Sequence, residues 1–194
     1  MNVCLVRRTP LDLLMTSESD NEWRDLTELA MATLRRGTDP ARGATRLFQI
    51  AVLPSFEVAA SWDVFAKHDA RSESYFVVRT IWDLPTDAAK LESPLERLRH
   101  PTELAPTIHT SSVAASAEQV AAWQAQIAAA SVPPMPSDVP IGTDGVTYRL
   151  ATGSFFSNAV FEWWEEGPPS WAPLVTAVRE VMKALERLAP RSAV

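Results

Sequence analysis

Residues 144–189 read DGVTYRLATGSFFSNAVFEWWEEGPPSWAPLVTAVREVMKALERLA, and the change of hydrophobic period along this stretch decides the fold. Asp144-Gly145 is a turn signal, after which Val146, Tyr148 and Leu150 alternate with Thr147, Arg149 and Ala151, the period of a strand with one buried face. Thr152-Gly153-Ser154 ends that run. A second run, Phe156 to Trp164, sets Ala159, Phe161 and Trp163 on one face and Val160, Glu162 and Trp164 on the other. Strands this close pair antiparallel. Gly167-Pro168-Pro169 stops the second strand, because proline cannot donate to a ladder.

The period then becomes helical. Ser170 is placed as an N-cap with Pro173 in the first turn, and Trp171, Leu174, Val175, Val178, Met182, Leu185 and Leu188 form one apolar stripe. Thr176, Arg179, Glu180, Lys183, Glu186 and Arg187 take the wet side. Each buried Leu or Met contributes roughly 1.5–3 kcal/mol, so this face alone is a large part of a core.

The rest of the chain supplies further elements of both kinds. Ser19 and Glu22 have capping-box spacing ahead of Trp23, Leu26, Leu29, Ala30 and Leu34, a helix closed by Arg35-Arg36-Gly37. Val3 to Val6 is read as an edge strand. Leu47 to Leu53, with Gln49 its one polar member, is a buried strand ended by Pro54. Phe56 to Phe65 and Tyr75 to Trp82 are strands paired as a hairpin across a polar loop from Lys67 to Ser74. Two short helices meet at Pro94, Thr107 to Val113 is a short strand, and Ser116 with Gln119 caps a helix that buries Val120, Trp123, Ile127 and Ala130. Four prolines between Val132 and Gly142 make an extended, exposed loop. These elements predict an α+β fold in one domain over residues 1–194. It is an antiparallel sheet of about four to six strands with helices mainly on one face, ending in a β-hairpin and a long amphipathic helix.

Composition narrows the functions. A formal charge of −6 argues against nucleic-acid binding, which needs a basic patch, and fits a basic protein partner. A single cysteine, Cys4, excludes a disulfide framework and implies a cytoplasmic compartment. No apolar run reaches the length of a membrane span.

Catalytic signals are absent from the sequence. His68, His100 and His109 have no metal-ligand spacing, and no GxSxG elbow, Walker loop or GxGxxG occurs. Neither a metal nor a cofactor is expected. His68 falls in a loop, His100 at a helix end and His109 in a strand where half-burial is expected.

The densest chemical cluster is Glu162, Trp163, Trp164, Glu165 and Glu166. Tryptophan faces attract cations and carboxylates pair with them, so Trp164, Glu162, Glu165, Glu166 and the following Trp171 are the candidate binding residues for a basic or planar ligand. The competing reading places Trp163 in the core, Trp164 half under the facing helix, and the glutamates in solvent near a helix N-terminus. The pattern Asp144-Gly145-x-x-Tyr148, Phe161-x-Trp163-Trp164 and Gly167-Pro168-x-x-Trp171-x-x-Leu174 resembles the C-terminal part of some uncharacterised bacterial proteins; it covers under a quarter of the chain and implies no activity.

Three function classes follow. The first is a non-catalytic, acidic, bacterial interaction protein, immunity-like or adaptor-like, docking a basic protein. The second is a small-molecule binder or enzyme with a site of scattered residues. The third is a structural subunit of a homo-oligomer with the Trp164 region between copies.

Overall fold

The computed structural model describes residues 10–39, 43–69, 72–92, 105–140, 142, 144–154 and 157–189, with side chains described from Asn21 onward except those of Ser154 and Ser157. Among the described residues six strands form one antiparallel sheet: β1 (Ala44–Pro54), β2 (Ala60–Asp69), β3 (Ser72–Trp82), β4 (Ile108–Ala115), β5 (Val146–Ser154) and β6 (Ser157–Trp164). Their order is β4-β3-β2-β1-β5-β6. The helices are α1 (Pro10–Arg36), α2 (Leu84–Glu92), α3 (Ala117–Ala128) and α4 (Ala172–Leu188), the last preceded by a 3-10 turn, Pro169–Trp171. Among these described helices none is long and apolar enough to cross a membrane.

β1 lies inside the sheet because it is bonded on both sides, to β2 with Ile50 opposite Trp62 and to β5 with Ile50 opposite Leu150. Helices also pack on both of its faces, which is why Leu47 to Leu53 is apolar almost throughout. On one face Phe48, Ile50, Trp62, Val64, Val77, Leu150 and Trp163 pack under Val120 and Trp123 of α3 and Leu174, Val178, Val181 and Leu185 of α4. This is the larger core and carries the amphipathic C-terminal helix. On the other face a smaller cluster joins Ala51, Leu53 and Trp82 to Ala30 and Leu34 of α1, with Trp23 against it at 5.9 Å from the Trp82 ring.

Four local expectations are corrected. The first helix begins by Pro10, so Ser19 lies inside it and does not cap it. The polar stretch from Lys67 to Ser74 is mostly strand: β2 and β3 stay paired out to Asp69 and Ser72, where cross-strand pairing outweighs side-chain polarity. Phe56 does not enter β2; it sits in the bend after β1 and is 77 % exposed. Ser170 does not cap α4, because Pro168 and Pro169 start a 3-10 turn in which Trp171 N–H donates to Pro168 O at 2.8 Å. By contrast Ser116 and Gln119 make the expected capping box on α3. Val3 to Val6 and the Pro94 bend lie outside the described residues.

Two carboxylates anchor α2. Asp83 Oδ1 accepts from Thr86 N–H at 3.1 Å, an N-terminal cap. Asp87, buried, accepts from Trp82 Nε1 at 2.8 Å and from Thr107 N–H at 2.7 Å, tying the helix to the approach to β4. Burial pushes the Asp87 pKa up, but the hydrogen bonds from Thr107, Trp82 and Lys90 outweigh it and the net shift is downward.

Candidate binding groove beside Trp164

β6 ends in a tight corner. Trp164 is the last strand residue, opposite Thr147. Glu165 then takes φ 50°, an unusual left-handed conformation for a residue with a side chain. Two bonds hold it there: its N–H donates to Val146 O at 2.8 Å, and its Oε1 accepts from Val146 N–H at 2.8 Å. The turn closes at Gly167, φ 70°, whose N–H donates to Trp164 O at 2.9 Å; a Cβ at Gly167 would stand 2.8 Å from Trp163 Cδ1.

The Trp164 indole is half-buried, with two glycines close against it. A Cβ added at Gly142 would be 2.1 Å from Cζ2, and one at Gly145 would be 2.6 Å from Nε1. Glycine is what lets the backbone come this close. Beside the ring opens a groove of about 650 Å³, lined chiefly by Asp138, Val139, Pro140, Trp164, Glu165 and Glu166.

The groove is acidic with one balancing cation. Arg179 of α4 donates to Glu166 Oε2 at 2.8 Å and to Glu165 O at 3.3 Å, while its guanidinium lies 5.5 Å from the Tyr148 ring centroid. The bond from Arg179 and its charge hold the Glu166 carboxyl below the usual range. Asp138 and Glu165 contribute two further carboxylates to the lining.

Of the five candidate residues, the corner brings three together: Trp164, Glu165 and Glu166. Glu162 points elsewhere, with Oε1 3.1 Å from Arg35 and Oε2 3.8 Å from Arg149 under the end of α1. Trp171 is core, 6 % exposed, in edge contact with Phe161 at 5.5 Å and Trp163 at 6.5 Å. Its Nε1 donates to Pro133 O at 2.9 Å, which pins the start of the proline loop whose later residues form the groove wall. Sequence reasoning missed Asp138, Val139 and Pro140; an acid and an exposed valine within a proline loop were the signal available.

A second polar cluster is buried. A β-bulge between Arg46 and Phe48 puts Arg46 opposite Phe65 and so onto the α1 side of the sheet, where its Nε stands 2.9 Å from Asp63 Oδ1. Asp63 Oδ2 accepts from Thr38 N–H at 2.9 Å. Gln49 Nε2 donates to Leu34 O at 3.0 Å and its Oε1 accepts from Arg149 at 2.5 Å. Burial lifts the Asp63 pKa from 3.8 to about 6, against the opposing pull of Thr38 N–H and Arg46.

These groups meet around the end of α1: a Cβ at Gly37 would lie 2.2 Å from Gln49 Nε2 and 2.5 Å from Asp63 Oδ1. Helix backbone occupies the point where they converge, and the cluster caps the negative end of α1.

The two described histidines stand apart from both clusters. His68 is on β2, exposed, 3.3 Å from Glu73. His109 is on β4 and exposed rather than half-buried, 3.1 Å from Asp83. His100 lies outside the described residues. Among the described residues no group of three or more His, Cys, Asp or Glu side chains is arranged to hold a metal ion. Comparison with known proteins gives no match to a family model, a curated protein or a solved structure.

Proposed function

We propose that this chain is a non-catalytic recognition protein, adaptor-like or immunity-like in kind, that takes a basic segment of a protein partner into the groove beside Trp164. The observation that carries the reading is the convergence of one indole with three carboxylates, Asp138, Glu165 and Glu166, in one open groove. Arg179 balances one of the three, which leaves the groove net negative. A lysine or arginine side chain would lie against the indole face and meet the acids at its tip, and each such contact strengthens as water is displaced. Two exposed apolar residues stand at this end of the sheet: Val139 in the groove wall and Phe56 beside Ser55, whose N–H bonds Gly145 O at 2.9 Å. Apolar anchors inside a charged rim are the usual anatomy of a docking site.

Binding of oligo-arginine and oligo-lysine peptides, followed by fluorescence anisotropy, tests this. Trp164→Ala and Asp138→Lys should each weaken binding about tenfold or more, with the thermal midpoint of Asp138→Lys unchanged. Equal affinity for an oligo-glutamate peptide, or indifference to both substitutions, contradicts the proposal.

The second reading, an enzyme or small-molecule site of scattered residues, is favoured by one observation: Asp63, Arg46, Gln49 and Arg149 come from three strands to surround a carboxyl of raised pKa. A thermal-shift panel of metabolites, sugars and metal ions separates the two, since a saturable rise in midpoint abolished by Asp63→Asn supports the second reading alone.

A further inference from the structure

β4 is one edge of the sheet and β6 the other. β4 pairs along its whole length with β3, from Tyr75 opposite Ala115 to Trp82 opposite Ile108, and among the described residues nothing pairs with its outer side. Such a row of unpaired backbone donors and acceptors is a template for another strand, and edge strands of monomers are normally blunted by lysine, proline or a bulge. β4 has none of these. It reads IHTSSVAA, its ladder to β3 is unbroken in register, and His109, Thr110, Ser111, Ser112 and Ala114 are exposed.

The neutrality extends well past the strand. From Ala105 to Ser137 the chain carries one formal charge, Glu118, although 22% of all its residues are charged. α3 follows β4 after Ser116 and turns Ala121, Ala122, Gln124, Ala125, Ala128 and Ala129 to solvent. Of the charges that do reach this side, Asp83 stands 3.1 Å from His109 of β4, and Glu118 lies in the first turn of α3.

We infer that β4 is the interface between two copies of this chain, paired antiparallel across a two-fold axis passing near Ser111 and Ser112. A neutral edge selects no charged partner, and it is the place where two like-charged molecules meet with least repulsion. A two-fold contact requires a self-complementary surface, which an uncharged strand of small side chains provides. Strand pairing alone buries less than the roughly 1,200 Å² of a stable interface, and the short side chains on the outer side of α3 add contact area one layer above. Because β4 and β6 are opposite edges, pairing joins two six-stranded sheets and leaves both Trp164 grooves open, so it does not depend on what the groove binds.

Sedimentation equilibrium of the full chain should give about twice the single-chain mass of 21.4 kDa, falling toward it on dilution. Ser112→Lys and Ser112→Glu should each raise the dissociation constant by about tenfold or more, and an equimolar mixture of the two should recover the double mass. In the unmodified chain, amide exchange along β4 should slow as concentration rises. A single-chain mass at high micromolar concentration, double mass retained by both variants, failure of the mixture to reassociate, or β4 exchange independent of concentration each overturns the inference.

Discussion

Asp63 carries the sharpest prediction at the scale of one residue. Its carboxyl, fully buried, titrates near 6 in the folded chain against an ordinary 3.8. Folding therefore favours the protonated form. The contribution to stability is fully present below pH 3.8 and is lost as pH rises to and through 6, a change of about 3 kcal/mol. Asp63→Asn removes that dependence. In urea denaturation between pH 4 and 7.5, the stability of the native chain relative to Asp63→Asn should fall by about that amount, whereas parallel profiles would refute it. Gly37 is the complementary test. Its φ of 71° disfavours any side chain, and a Cβ would press on Gln49 and Asp63, so Gly37→Ala should cost about 2–4 kcal/mol in chemical denaturation.

At the scale of elements, helices are held to the sheet by apolar stripes along their length and by sheet arginines at their C-terminal ends. Arg46 donates to Thr38 O just past α1 at 2.7 Å, and Arg79 donates to Ala189 O just past α4 at 3.1 Å. Cations at these ends oppose the negative pole of each helix. Leu185, fully buried in α4, should lose about 2–5 kcal/mol on Leu185→Ala, and Leu185→Asp should unfold the chain, both read from denaturation curves. Ser116→Ala should cost about 1 kcal/mol through the lost cap of α3.

These elements were also the most legible in the sequence, because the stripe from Leu174 to Leu185 and the Ser116–Gln119 box are local patterns that tertiary contacts reinforce. The antiparallel pairing of β5 with β6 was legible for the same reason. The pairing of β1 with β5, about a hundred residues apart in Gln49 to Arg149, was not, since nothing local specifies which strand fills an open edge. Nor was the placement of Arg46: a one-residue bulge reversed its face and made it the partner of a buried acid. At the groove, alternation assigned Trp163 to the core correctly. It could not show that Gly142 and Gly145 would close over Trp164, because that contact depends on how a proline loop returns to the sheet.

Across the whole molecule, the tryptophans are mostly structural. Of seven, Trp62, Trp82, Trp123, Trp163 and Trp171 are buried, leaving Trp23 and Trp164 half-exposed. Abundance of tryptophan therefore says little about recognition, and the functional proposal rests on where Trp164 alone is placed. The sequence of charges points the same way: one formal charge between Ala105 and Ser137, and three carboxylates, Asp138, Glu165 and Glu166, gathered at the groove. The most direct measurement is a titration of the chain, labelled at its indole nitrogens, with an oligo-arginine peptide, following all seven indole N–H resonances. A saturable shift of the Trp164 resonance, with the five buried indoles unmoved, is the expected result. Saturable binding that leaves Trp164 in place would contradict a recognition site in this groove.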